Sequence, residues 1–307
     1  MTLNRSILLL CKNLFFEQVF LFAHRSGSSI WLRPFGRFMF IAVFIWFLIP
    51  NLSLAHEPIF MLSPEAPGKG AFDLHTSIQS TKRGNEREFE LEQELTYGLT
   101  RDLAVGLSVP FVREEGISSQ GQNVENGLGN PSVMFKWRFW DKDLPRVKYS
   151  VSAILQSTIP VGRGDGRLGR DKPDILTGLA HGREGLYWYY FVDVRYLYRV
   201  EDNNTKPGDR LHLDAAYGLR PELRGLEETD IVYFFELNYL HEYRAQVNGL
   251  DDPNSGGDFI FFSPEILISP TNRIMLRGGV QIPIIQSING AQDPKDYTFK
   301  LVAEFRF

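Results

Sequence analysis

The sequence predicts an all-β protein: a transmembrane antiparallel up-and-down β-barrel of about 12 strands. Three observations predict it. Apolar and polar residues alternate with period two from Ala71 onward. The connectors alternate between short turns and long loops, as in barrels that cross a membrane with strands. Aromatic residues are abundant, with 24 Phe, 12 Tyr and 5 Trp, and lie toward the strand ends of the apolar face.

Strands are expected near 71–81, 87–98, 103–113, 130–140, 147–160, 174–182, 186–200, 210–220, 230–244, 258–268, 273–284 and 296–307. The last is the clearest: Tyr297, Phe299, Leu301, Ala303, Phe305 and Phe307 alternate with Thr298, Lys300, Val302, Glu304 and Arg306. Thr100-Arg101-Asp102, Asp141–Pro145, Arg183–Gly185 and Pro270–Asn272 make short turns. The stretches 114–129, 161–173, 201–209, 245–257 and 285–295 are longer and rich in Gly, Asp and Asn. The connector at 221–229 breaks the rule, being long on the short-turn side. A sandwich also alternates, but its outward face is polar. Here that face is apolar, with Trp137, Phe139, Tyr149 and Trp188 toward one rim and Tyr198 and Tyr239 toward the other. Strands that face lipid must close, because an open edge has no solvent to bond with.

The long apolar run is Met39–Pro50, 12 residues against the ~20 a membrane-spanning helix needs. Arg33 and Arg37 precede it, and Ser53-Leu54-Ala55 follows with small residues at the cleavage positions. This describes a secretory signal peptide. No cysteine follows the run, which excludes a lipoprotein signal. The expected organisation is an N-terminal extension and cleaved signal peptide (1–55), a short periplasmic segment (56–70) and an outer-membrane barrel (71–307). The 15 residues of 56–70 are too few for a plug domain, which argues against energy-coupled import. An amino-terminal His56 would offer an amine and an imidazole of the kind that bind copper or zinc. One histidine at a processing site carries no metal expectation by itself.

Composition excludes several classes. A formal net charge of -4 gives no nucleic-acid footprint. Cys11 is the single cysteine, so there is no disulfide framework and no cysteine-cluster metal site. No cofactor is expected. A mean hydropathy of -0.18 argues against a bundle of membrane helices.

Chemistry on the polar faces should line the lumen. The first two strands offer Asp73, His75, Glu90, Glu92 and Glu94; the next pair of polar faces adds Lys136 and Arg138. Asp193, Arg195, His212, Asp214 and Glu236 follow, then Arg277, Lys300, Glu304 and Arg306. These residues either form a polar conduit that orients a solute or pair across strands and fill the interior. The Glu90, Glu92, Glu94 row calls for compensation by a cation or, more simply, by basic lumen residues. Closure should bring Asp73 and His75 beside Lys300, Glu304 and Arg306.

An outer-membrane lipid hydrolase would need a nucleophile and base on the outward face. His241 is outward by parity, but no outward serine is expected beside it and no GxSxG motif occurs. The loop 161–173, with Arg163, Arg167, Arg170 and Lys172, reads as a solvated loop with capacity for lipopolysaccharide phosphates.

Gly127-Leu128-Gly129-Asn130-Pro131, Ile159-Pro160-Val161-Gly162, Gly256-Gly257-Asp258, Phe262-Ser263-Pro264-Glu265 and Gln281-Ile282-Pro283-Ile284 mark the strand ends. Their layout over residues 70 to 307 resembles the outer-membrane barrel family named for the meta pathway of phenol degradation. Glu265 stands where the resemblance leads one to expect glycine. The resemblance implies a transport role, with apolar or aromatic compounds as the guess for the solute. The aromatic end at Phe307 resembles the assembly signal read by the barrel-assembly machinery. The expected function is passive passage of a small solute across the bacterial outer membrane, with both termini periplasmic and lipids and lipopolysaccharide around the barrel. The alternatives are a structural or surface-binding scaffold and, further off, the lipid hydrolase.

Overall fold

The computed structural model describes residues 56–118, 121–161, 168–224 and 228–307. The signal segment and Cys11 lie outside these residues, as do Arg163 and Arg167. The strands are β1 (Phe72–Arg83), β2 (Glu86–Gly98), β3 (Leu103–Ser118), β4 (Gly121–Leu128), β5 (Ser132–Leu144), β6 (Val147–Thr158), β7 (Asp174–Gly185) and β8 (Trp188–Arg199). They continue as β9 (Thr205–Lys206), β10 (Arg210–Leu219), β11 (Asp230–Glu242), β12 (Gln246–Val247), β13 (Leu250–Asp251), β14 (Gly257–Thr271), β15 (Ile274–Ile288) and β16 (Lys295–Arg306). No helix occurs among the described residues.

The long strands pair antiparallel in the order β2-β1-β16-β15-β14-β11-β10-β8-β7-β6-β5-β3, and β2–β3 pairing closes the ring. The result is a closed barrel of 12 staves, as the alternation predicts. Closure is explicit where the ends meet: the Phe72 N–H donates to Phe307 O at 3.1 Å and the Phe307 N–H to Phe72 O at 2.9 Å.

Three connectors differ from the sequence reading. The stretch 114–129 is not a loop: β3 runs on and pairs with β4, Phe111 opposite Leu128 and Glu115 opposite Val124. Beyond Phe111 and Leu128 this hairpin carries charged and amide side chains on both faces, so period two breaks down and the strands are invisible in the pattern. β4 then continues through Gly129-Asn130-Pro131 into β5, and the two share one stave. The loops 201–209 and 245–257 contribute β9, β12 and β13, which pair as a small separate sheet at the long-loop end. In the connector at 221–229, residues 225–227 lie outside the described set.

The outward face carries the expected aromatic residues. Trp137 is 57% exposed, the largest exposure among the aromatic side chains there. A bulge between Arg138 and Trp140 puts the consecutive Phe139 and Trp140 both on the outside, which simple alternation does not foresee. Inside, Tyr189, Phe191, Val232, Phe234, Leu267 and Met275 pack with Met61 into an apolar core in the short-turn half of the lumen.

Phe235 stands midway along β11 on the outward face and stacks on Phe262 at 6.3 Å. Phe235→Arg is expected to destabilise the barrel by about 2–4 kcal/mol, the cost of a basic side chain at the bilayer midplane. Equilibrium unfolding in lipid vesicles measures this, with Phe235→Leu as the near-neutral control.

Candidate functional site

The lumen is divided into a filled half and an open half. Residues 56–66, expected as a short segment before the barrel, lie inside it and form no strand of their own. Irregular backbone in a barrel interior needs partners for its N–H and C=O groups. Wall carboxylates supply the acceptors. The Ile59 N–H donates to Glu236 Oε1 at 3.0 Å and to Glu265 Oε2 at 3.2 Å. The Phe60 N–H donates to Glu236 Oε1 at 3.0 Å, and the Leu62 N–H to Asp193 Oδ2 at 2.7 Å. Basic wall residues supply the donors: Arg277 to Glu57 O at 3.2 Å, Arg195 to Phe60 O at 3.0 Å, and Lys136 to Glu65 O at 2.7 Å.

Packing follows the same division. A Cβ on Gly178 would come within 2.8 Å of Leu62 Cδ1, and one on Gly182 within 2.9 Å of Pro64 Cγ. These inward glycines of β7 make the room that the segment occupies. Glu65 ends the buried run and meets Lys148, Ser150 Oγ at 2.8 Å and Arg138 at 3.5 Å. At the other end the His56 ring is 2% exposed, 3.0 Å from Asp230, and Arg220 bridges to both. That engagement leaves its imidazole committed to side chains rather than free for a metal.

The sequence-predicted lumen residues all sit on inward faces, but they do different things. Asp193, Glu236, Arg195, Arg277, Lys136 and Arg138 bind the segment or its Glu65. Asp214 pairs with Arg195, and His212 lines the cavity beside them. At the seam Asp73 is opposite Arg306 and His75 opposite Glu304 in register. Glu304 takes Arg277 at 2.9 Å, Arg306 at 2.6 Å and His75 at 3.5 Å. Asp73, His75 and Glu304 are close enough to share an ion. Two arginines already balance the two carboxylates, which leaves no net negative charge to draw one. Lys300 does not join this cluster. It pairs with Gln79, which also faces Glu90, so it belongs to the row above. Strand pitch explains this: Lys300 is four residues from Glu304, roughly 13 Å along the barrel. The Glu90, Glu92, Glu94 row is met partly by hydroxyls: Ser108 donates to Glu92, and Thr96 to Glu94 at 3.0 Å.

Above the segment the lumen opens into a cavity of about 1380 Å³. Its β2–β4 side presents Glu88, Glu92, Glu94, Glu114 and Glu125. Arg83, Arg210, Lys295 and Lys300 present the opposite sign from β1, β10 and β16. On the outer wall, His241 Nδ1 lies 2.8 Å from Asp258 Oδ1. Its partner on the β10 side is Leu211, and the Tyr239 hydroxyl donates to the same Asp258 oxygen at 2.7 Å.

Two sequence features could have revealed the seated segment. The apolar run Pro58-Ile59-Phe60-Met61-Leu62 has no reason to remain in water, and the inward carboxylates of β8, β11 and β14 exceed what cross-strand pairing needs.

Segment seating is expected to weaken in acid. Burial, with Arg220 adding to it and the Asp230 hydrogen bond opposing, holds the His56 imidazole below its ordinary 6.5, so it is neutral when seated. A released segment binds a proton as the pH falls through 6.5, which favours release below that pH and has no effect well above it. Burial pushes Glu65 up, but Lys148 and Ser150 override it and leave the carboxyl below its ordinary 4.5. Its contribution is present above 4.5 and lost as the pH falls further. Hydrogen exchange of the Ile59 and Leu62 amides against pH, corrected for intrinsic rates, checks both windows, and His56→Gln should remove the upper one.

No family model and no curated protein matches this chain. Solved structures do resemble it. An outer membrane channel from Pseudomonas putida F1 superposes with a TM-score of 0.62 at 13% identity, covering 81% of this chain and 100% of that one. The beta domain of the Bordetella autotransporter BrkA gives 0.49 at 12% identity, over 78% of this chain and 100% of that domain. The NanC porin gives 0.47 at 10% identity, over 76% and 98%. At such identities the first of these likenesses speaks for the barrel fold, and the other two add no argument.

Proposed function

We propose that this chain is a bacterial outer-membrane channel for small solutes, with a charged vestibule at the long-loop end and a stopper formed by residues 56–65. One observation carries the reading: the 1380 Å³ lumenal cavity with acidic and basic residues on different walls. Opposed charges orient a dipolar solute and admit it without holding it tightly. Met134, Leu240, Phe261 and Tyr297 add apolar surface to the same cavity, which suits a solute with an aromatic or aliphatic body. The family resemblance points to the same class. In this reading the short-turn end, where both barrel termini lie, faces the periplasm. The strand ending at Phe307 engages the assembly machinery, and the aromatic outer rims meet lipid and lipopolysaccharide.

The seated segment also favours a second reading, a barrel that serves as a scaffold and conducts nothing. Planar-bilayer conductance and liposome swelling separate the two. The chain beginning at His56 is expected to conduct weakly, and deletion of residues 56–65 to raise conductance severalfold. Lys300→Glu together with Arg210→Glu should shift the open form toward cations. Absence of conductance and swelling in both forms would favour the scaffold.

A further inference from the structure

Glu184 lies at the short-turn end of β7 in unfavourable company. Its Oε1 is closed off from solvent and receives no hydrogen bond from a basic or amide group, and its carboxyl bonds to that of Glu65. Among the described residues no basic side chain forms an ion pair with it. Its electrostatic neighbours include two further acids, Glu65 and Glu57. Lys148 is committed to Glu65, and so is Arg138. Two neighbouring buried acids are costly unless a shared proton or a further positive charge balances them.

Two groups of the seated segment reach Glu184: the carboxyl of Glu65, and the main-chain nitrogen of His56, 3.5 Å from Oε2. The imidazole of the same residue, held by Asp230 and Arg220, fixes where that nitrogen sits. As a peptide nitrogen it is neutral and brings one hydrogen. As a chain terminus it would carry a full positive charge and three donors. The sequence places small residues at Ser53 and Ala55, just before it, behind the apolar run Met39–Pro50.

We propose that the chain is cut between Ala55 and His56, and that the α-ammonium so created is the counter-ion of Glu184, so that processing itself completes the seating of the segment. The step is a hydrolysis. One water is consumed and the Ala55–His56 C–N bond breaks. Ala55 gains the oxygen and leaves as a carboxylate, and the His56 nitrogen gains two protons to become the ammonium. No electrons are transferred. An uncut chain has no positive charge to offer at this point, so the pairing distinguishes processed from unprocessed protein.

The test has two parts, neither of which depends on whether the barrel conducts. The full precursor is expressed in a double-membraned host and the membrane-embedded form is weighed intact. Its first residue should be His56; a different start, or an uncut chain, overturns the proposal. A chain beginning at His56, released from a removable fusion and refolded in detergent, is then acylated near neutral pH with an amine-reactive ester. Labelling at the α-amine is followed by peptide mass spectrometry. The folded wild type should react at least about tenfold more slowly than Glu184→Gln, one pKa unit of protection. Equal rates overturn the proposal. Folding of each variant is checked by heat-modifiable gel mobility. Should Glu184→Gln not fold, a chain with one glycine added before His56 replaces it. That addition moves the amine by about 3.8 Å. The displaced amine should label at the fast rate, and slow labelling there overturns the proposal.

Discussion

Every backbone N–H and C=O that meets an apolar surrounding must find its partner within the protein, and this requirement organises the whole molecule. On the outside it forces closure. β1 pairs with β2 on one side and with β16 on the other, and β2–β3 pairing completes the ring, so no stave presents a free edge to lipid. Inside it decides what happens to residues 56–66. Lacking a strand partner, they borrow wall side chains, and carboxylates of β8, β11 and β14 take the place that a neighbouring strand's carbonyls would have.

The charged interior therefore does two jobs. In the short-turn half, Asp193, Glu236 and Glu265 accept from backbone N–H groups, while Arg195 and Arg277 donate to carbonyls and bind Asp214 and Glu304. These groups are spent on structure and packed against Met61 and the aromatic cluster below it. In the long-loop half, Glu88, Glu92 and Lys300 line open space, while Arg210 pairs with Glu242. Since the segment is held by side chains rather than by a ladder, its release costs hydrogen bonds without unpairing any stave.

Much of this was legible in single residues. The alternation through Tyr297–Phe307 identifies a strand by itself, and Glu236, Arg277 and Glu304, expected inward by parity, are buried within the barrel. What failed did so for local reasons. The β3–β4 hairpin mixes polar residues into both faces, so its alternation is lost. The bulge at Phe139–Trp140 adds a residue that a period-two count cannot see. Lys300 falls outside the seam cluster: adjacency of strands is readable from order, whereas height along the barrel depends on register.

The sequence alone thus determined the class of fold and the stave count, and its alternation gives each strand two distinct faces. Side-chain direction in a strand follows from position parity, and lipid tolerates only one answer. The tertiary structure alone decided which charges are spent and which remain available. That depends on the threading of residues 56–66 into the lumen, a long-range event that leaves no periodic trace. The same placement sets the His56 nitrogen against Glu184 and divides one cylinder into a filled half and an open, charged half.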